Sequence, residues 1–543
     1  MLNMGNNINK IFSQIDHFIR AGEYTKAVDN ISKLKIAAEK SLDTIKQTVE
    51  ISNPDRKTES SIILILNYAG FLIDCGSSLN ELKLVDEGLR CANLVFKKLK
   101  SSYRLYSSFG YNIANGYASS FQIKQYATNR YYFIGEERLE LTKKLYRTLL
   151  KSISQNDHLI LQILTNFGNL LNGRLGRSLE ALNFYNLALE INPKFSMALA
   201  NKGYVQSLFA SVIEGDAKVI LLHEAYLNLK NAIKIGLDFG PKNYFSKILA
   251  DLIKYFPNVV NLTEEVECKN IILKKNTFRR YYKYFCNIHD LYLNPIENSH
   301  KCSAALYDPL IINRMIVNND EHNKFIKITS YFNQIKQEFA FARYLAAQSF
   351  FQDPRLKFID KEIVILDTLD YSAHTIFLEH ARSSYRIAYS LLDKIALLFN
   401  EYLDIGLNEK SIYFYKLAPL YSDRVLNKLS PITNPYISAL LDLANDFRNG
   451  HFEKESSIRN SFEHRFKSIH IFSSSVKHKE SEESLITTDE FRNILINLLK
   501  IVKSAIFYIV LLIEWEEKIK ESSFDGLILP IPLHELPNNL KIE

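Results

Sequence analysis

The sequence predicts an all-α protein, on three observations. Long segments place apolar residues at i, i+3, i+4 and i+7, the repeat that lines one face of an α-helix. No succession of alternating strands closed by turn pairs interrupts them. The composition, 47% apolar and 23% charged, is that of a chain that folds around a core. At 543 residues the chain exceeds what a single core supports, so several domains are expected. The pattern divides it into helical repeats over 1–260, a connector over 261–329, a helical bundle over 330–522 and a tail over 523–543.

The repeat signal is clearest in NFGNLLNGRLGRSLEALNFYNLALEINPKF (166–195). Small residues at Gly168, Ala181 and Ala188 let two antiparallel helices approach, Tyr185 and Leu189 fill the gaps, and Pro193 stops the second helix. This stretch resembles a tetratricopeptide repeat. It departs from the usual pattern by one extra residue between Gly168 and Ala181 and by lacking the first-helix tryptophan. Weaker echoes occur at AGEYTKAV (21–28), at YNIANGYA (111–118) and at Gly203 with Ala225 and Ala232. Three or more such units stack into a solenoid, because one hairpin cannot bury its apolar face alone. The alternative is an irregular helical bundle.

The connector is aromatic and broken by proline: RRYYKYFCNIHDLYLNPIENSHKC (279–302). Its Cys286-x-x-His289 and His300-x-Cys302 pairs raise zinc ligation, but a one-residue gap is tighter than ligand pairs usually show. Ordinary packed or surface cysteines and histidines are the expectation, and no metal or other cofactor is implied. Five cysteines, an odd and small number, do not make a disulfide framework.

Beyond about 330, four or five long helices are readable. HARSSYRIAYSLLDKIALLFNEYL (380–403) puts Tyr385, Ala388, Tyr389, Leu392, Ala396 and Phe399 on one core-facing stripe. FRNILINLLKIVKSAIFYIVLLIEW, apolar on most sides, belongs at the bundle centre. SSSVKHKESEESLITTDE (473–490) reads as an exposed loop.

Between these helices lies ESSIRNSFEHRF (455–466). Only here is an arginine followed by a polar residue and, five positions on, by a histidine: Arg459, Asn460 and His464. Arg465 and His470 share the spacing, but Phe466 follows that arginine. On a helix, Ile458, Phe462, Phe466 and Ile469 form one apolar stripe. Asn460 and His464 then lie nearly opposite it, with Arg459 and Glu463 on its flank, facing solvent or a second protomer. The bland reading is a surface ion pair beside a solvated histidine.

RNSFEH resembles the Arg-polar-x-x-x-His signature of HEPN domains. RSSYRIAYSLLDKIA, RNSFEHRFKSIH and KSAIFYIVLL occur in the order of a bacterial HEPN branch with N-terminal tetratricopeptide repeats, and YKYFCNIHDLYLNP is similar to that branch's connector. The resemblance implies a metal-independent endoribonuclease, a homodimer whose two motif helices meet across a two-fold axis. RNA would supply its own 2′-OH nucleophile. His464 would move protons, Arg459 would grip the phosphate, and Asn460 would orient either. Glu463, Arg382, Arg386 and Asp393 are possible supporting residues, the last three as a channel lining or a plain solvated face.

A net charge of +7 permits an acidic partner such as RNA without demanding one. No basic start followed by an apolar run opens the chain. The apolar stretch 501–515 contains Lys503 and reads as too short and charged to span a bilayer, so a cytoplasmic protein without membrane contact is expected. The antiviral-effector reading, with the repeats sensing a trigger or holding a protein or peptide ligand, stands beside two others. One is a non-enzymatic repeat adaptor whose bundle only dimerises. The other is a nucleotide-transferring module, for which no glycine-rich phosphate loop is present.

Overall fold

A computed structural model describes residues 2–128, 137–153, 159–260, 277–296, 303–316, 322–367, 371–417, 434–464, 468–471, 486–523 and 531–532. The described residues are overwhelmingly α-helical, as expected, with strands of only two residues each. The chain divides into two compact units, one of residues 1–207 with 223–261 and one of residues 208–222 with 262–543. Residues 277–296 and 303–316, from the expected connector, thus group with the second unit.

The first unit is a succession of helices that pack on their sequence neighbours, among them Arg56–Leu79 on Leu82–Phe96 and Leu159–Leu175 on Ser178–Ile191. The last of these pairs carries the strongest repeat signal, and its packing follows from the small residues. A Cβ on Gly168 would stand 2.5 Å from Cε1 of the buried Tyr185 ring. Ala181 and Ala188 are fully buried, and the Tyr185 hydroxyl donates to Asn169 Oδ1 at 3.0 Å. Gly176 closes the first helix at φ +67°, while the Arg177 N–H returns to the Leu171 carbonyl at 2.8 Å. That is a Schellman turn, which satisfies helix-end carbonyls and needs a residue free to adopt positive φ. The Gly203 echo works alike, since a Cβ there would meet the Ala225 carbonyl at 2.9 Å.

Gly168→Ala therefore gains up to about 1 kcal/mol of helix propensity but forces the Tyr185 ring out of place, an overpacking cost of about 1–3 kcal/mol. The expected result is a net loss of stability in denaturant unfolding of the full chain, reversed when Tyr185 is also shortened to leucine. A stabilised single variant would mean that the ring has room to move.

The second unit is built around Thr488–Ser523, flanked by His322–Phe351, Ile376–Tyr402, Pro435–Arg448 and Glu453–His464. The predicted stripe of Ile376–Tyr402 is buried at all six positions from Tyr385 to Phe399. Phe491 to Ile513 of the central helix supply a further large share of the core. This helix is longer than the stretch 501–515 that was judged too short to span a bilayer. By length and composition it and Arg56–Leu79 could each cross a membrane. In the central helix, however, 89% of the apolar window is buried inside the protein, against 50% in Arg56–Leu79. Burial in the bundle thus accounts for the apolarity of the central helix.

Lys503, the charge within the apolar run, is 1% exposed. Its ammonium donates to Asp290 Oδ1 at 2.8 Å and to the Asp290 and Asn294 carbonyls at 3.1 and 3.0 Å. Burial nonetheless pushes the amine below its usual range, against the pull of Asp290. The HDLYLNP stretch of the connector is therefore a buried clamp, with Leu291 and Leu293 fully covered. Next to it, Asp308 pairs with Arg343 of His322–Phe351.

Two expectations about the region after Glu453–His464 need correction. The helix is described as far as His464, and Ile469–His470 is a short strand parallel to Ile486–Thr487, with an antiparallel bridge from His470 to Ser372. Ile469 is buried in that strand, so it is not the end of one helical stripe with Ile458. Ile486–Thr487 belongs to the same pairing and Thr488 opens the central helix, so the end of the predicted loop 473–490 is ordered structure. Residues 473–485 of that loop lie outside the described residues.

Candidate functional site

The motif helix Glu453–His464 begins after a turn at Gly450, held at φ +80°, where the His451 N–H donates to the Asp446 carbonyl at 3.0 Å. Glu453 and Glu455 in its first turn complement the helix dipole. Its inward face docks on Ile376–Tyr402 at two levels. At the first level, the Tyr385 hydroxyl donates to the Glu455 carbonyl, and Ile458 is 1% exposed. At the second, Ser456 lies beside the Tyr389 phenol, and the Arg459 guanidinium lies over the Tyr389 ring, 5.6 Å from its centre.

Arg459 is thus half-buried on an aromatic face and not turned wholly to solvent or a second protomer, as its flanking position had suggested. A planar guanidinium is weakly hydrated and stacks on a ring, so the phenol fixes the height and direction of the side chain. Burial pushes the Tyr389 phenol up, Ser456 and Arg459 oppose this, and Asp393 adds to it. Burial also raises the Glu455 carboxyl above its ordinary value.

Tyr389 shares one line of its helix with Arg382, Arg386 and Asp393, at steps of three and four residues. These three do different things. Arg382 pairs with Glu379 on its own helix, and Arg386 is exposed. One oxygen of Asp393 accepts the Phe414 N–H at 2.8 Å and so anchors a neighbouring loop. The structure therefore brings Arg459 to the line of supporting residues through Tyr389. Asn460, Glu463 and His464 lie on the motif helix, and their side chains fall outside the described residues.

Sequence reasoning placed Tyr385 and Tyr389 in the core stripe and missed their part in seating the motif. The helical phase gave a signal, because Tyr389 falls on the Arg382–Asp393 line. Glu455 was also missed. It looks like a surface glutamate, yet it is 7% exposed.

Among the described residues no group of three or more His, Cys, Asp or Glu side chains is placed to hold a metal ion. Cys286 is buried, which pushes its thiol up to about 12, and burial brings His289 down to about 4. His300 and Cys302, the other half of the zinc reading, lie outside the described residues. A half-open cavity of about 490 Å³ sits at the start of Ile376–Tyr402, lined by His374, Phe377, Leu378, Ala381, Ile471 and Arg492 among others. No residue of the Arg459–His464 motif lines it.

The second unit thus sets four helices about one buried apolar helix, with an Arg-polar-x-x-x-His motif on the short helix Glu453–His464. Residues 319–516 match the family model described as LA2681-like HEPN, so the C-terminal part of the chain carries such a domain. The match contains the motif and reaches from the start of His322–Phe351 almost to the end of the central helix. HEPN domains are generally ribonucleases, and they commonly dimerise and bind RNA. No curated protein matches the chain.

Proposed function

We propose that this protein is a metal-independent endoribonuclease of the repeat-bearing bacterial HEPN branch. Two copies join through the bundle, and each contributes Arg459, Asn460 and His464 to one composite site. The observation that carries the reading is the seating of Arg459 on Tyr389, within a matched HEPN domain, on the helix that also bears His464.

The chemistry follows from the side chains. Attack by a ribose 2′-OH on its own phosphodiester needs a proton taken from the nucleophile, a proton given to the leaving 5′-oxygen and a counter-charge for the phosphorane. His464 serves the proton transfers. Arg459, always charged and held to one direction by the ring, supplies the counter-charge with little reorganisation. Asn460 orients the imidazole or a phosphate oxygen, and Glu463, Arg386 and Asp393 border the site. The helical repeats, read as tetratricopeptide units, sense a trigger or hold a protein segment. The role is that of a toxin-like or antiviral effector in the cytoplasm.

The test is cleavage of single-stranded RNA by the full chain with and without EDTA. The expected products carry a 2′,3′-cyclic phosphate or 3′-phosphate and a 5′-OH, at the same rate in chelator, and a 2′-deoxy substrate stays intact. Intact RNA throughout, or activity that vanishes with EDTA, refutes the proposal.

A further inference from the structure

On the helices that do not bear the motif, we propose a second nucleic-acid contact: Phe341 and Tyr344, flanked by Arg279 and Lys283, form a shelf that binds a single strand by base stacking and phosphate pairing. The helix Phe278–Ile288, sequence FRRYYKYFCNI, carries three basic residues and no acidic one. Its Phe278 ring meets Tyr344 of His322–Phe351 edge-on at 5.2 Å, and its Tyr282 ring lies 6.3 Å from Tyr344. Helical phase then fixes the neighbours. Phe278 and Tyr282 form the ridge against Tyr344, and Arg279 and Lys283, one residue further on in each case, form the adjacent ridge. Arg279 is exposed and Lys283 half-buried, so the Tyr344 edge is bordered by positive charge.

The other helix presents an unusual surface. From Phe341 to Ser349, only Phe341 at 50% and Tyr344 at 40% are exposed; every other residue of that stretch is buried. Their rings stand nearly parallel, 12° apart, with centres at 6.3 Å. Tyr344 is braced from behind by Phe278 and by a hydrogen bond from Gln348 to its hydroxyl at 3.1 Å. Water-exposed rings held rigidly in one orientation beside cations match a single strand, because every base has a π-face and every linkage a charge. The cations on the adjacent ridge, Arg279 and Lys283, match the charge of a phosphate backbone, which favours a nucleic acid over an uncharged partner.

The contact differs from the proposed cleavage chemistry, and a 2′-deoxy probe separates the two because it binds without being cut. The experiment is fluorescence anisotropy of the full chain with a labelled 2′-deoxythymidine 15-mer and with a duplex of the same length. The expected result is preference for the single strand. A loss of about tenfold should follow in Phe341→Ala/Tyr344→Ala, and a similar loss in Arg279→Glu/Lys283→Glu, with a shallower salt dependence in the charge-reversed variant. Tyr344→Trp, which keeps a stacking face, should retain binding and so separates stacking from folding. No measurable binding by the parent chain overturns the proposal, as do double variants within twofold of it or equal affinity for duplex.

Discussion

His464→Ala is expected to lower the rate of RNA cleavage by about 10²–10⁴-fold, the usual worth of a positioned proton-transfer group. Circular dichroism of the variant should match the parent, so that the loss reads chemistry and not unfolding. Arg459 should behave differently. Removing a transition-state counter-charge costs about 10²–10³ in rate. Arg459→Ala also uncovers the Tyr389 ring, a cation–π contact worth about 0.5–2 kcal/mol. Arg459→Lys discriminates between these effects, because it keeps the charge and loses the planar fork that stacks and grips a phosphate through two hydrogen bonds. The ordering expected from single-turnover cleavage is parent, then lysine, then alanine, with the melting temperature of the lysine variant nearest the parent. Tyr389→Leu should lower cleavage with Arg459 intact, since the guanidinium loses its seat. If both His464→Ala and Arg459→Ala cut RNA at the parental rate, the motif has no part in catalysis.

How much of this was legible in the sequence depends on the range of the interactions. The core stripe of Ile376–Tyr402 and the buried central helix are local periodic patterns, and a wheel drawn from the sequence finds them. The small residues at Gly168, Ala181 and Ala188 likewise announce a close helix pair. The seat of Arg459 is a contact between residues 459 and 389, about seventy positions apart, and a single sequence carries no signal for such a pairing. The strand at Ile469 escapes the sequence for a related reason. Ile469 fits the helical stripe of Ile458, and it is buried either way, but a two-residue strand is too short for alternation to distinguish it from a helix. The connector shows the same limit. Its aromatic, proline-broken composition reads as packed, while the pairing of Asp290 with Lys503 across more than two hundred residues emerges only in three dimensions.

Asp308→Ala should be among the most destabilising single changes in the second unit, at about 3–5 kcal/mol. Arg343, 5% exposed at its side chain, donates to Asp308 Oδ1 at 2.8 Å, to the Tyr282 hydroxyl at 2.8 Å and to the Leu291 carbonyl at 3.0 Å. Its guanidinium also lies 4.9 Å from the centre of the Tyr292 ring. Deleting the carboxylate leaves that charge buried without its counter-ion, whereas Asp308→Leu with Arg343→Met removes both charges. The double variant should therefore cost less than the sum of the two single ones in denaturant unfolding. A second signature is acid sensitivity. Burial pushes the Asp308 carboxyl up, but the Arg343 charge and hydrogen bonds, with the Leu293 N–H, more than offset this and hold it below the ordinary 3.8. A carboxyl depressed on folding stabilises fully above its unfolded value and loses that contribution as pH falls through the lower folded value. The parent chain should thus show an extra fall in stability below about pH 3.8 that Asp308→Asn lacks. The same pair holds Tyr282 through Arg343, and Tyr282 lies behind Tyr344, so oligonucleotide binding on the aromatic shelf should weaken along with stability. A single variant costing under about 1 kcal/mol, or strictly additive costs, would show that the pair is solvated and that the clamp rests on Leu291 and Leu293 alone.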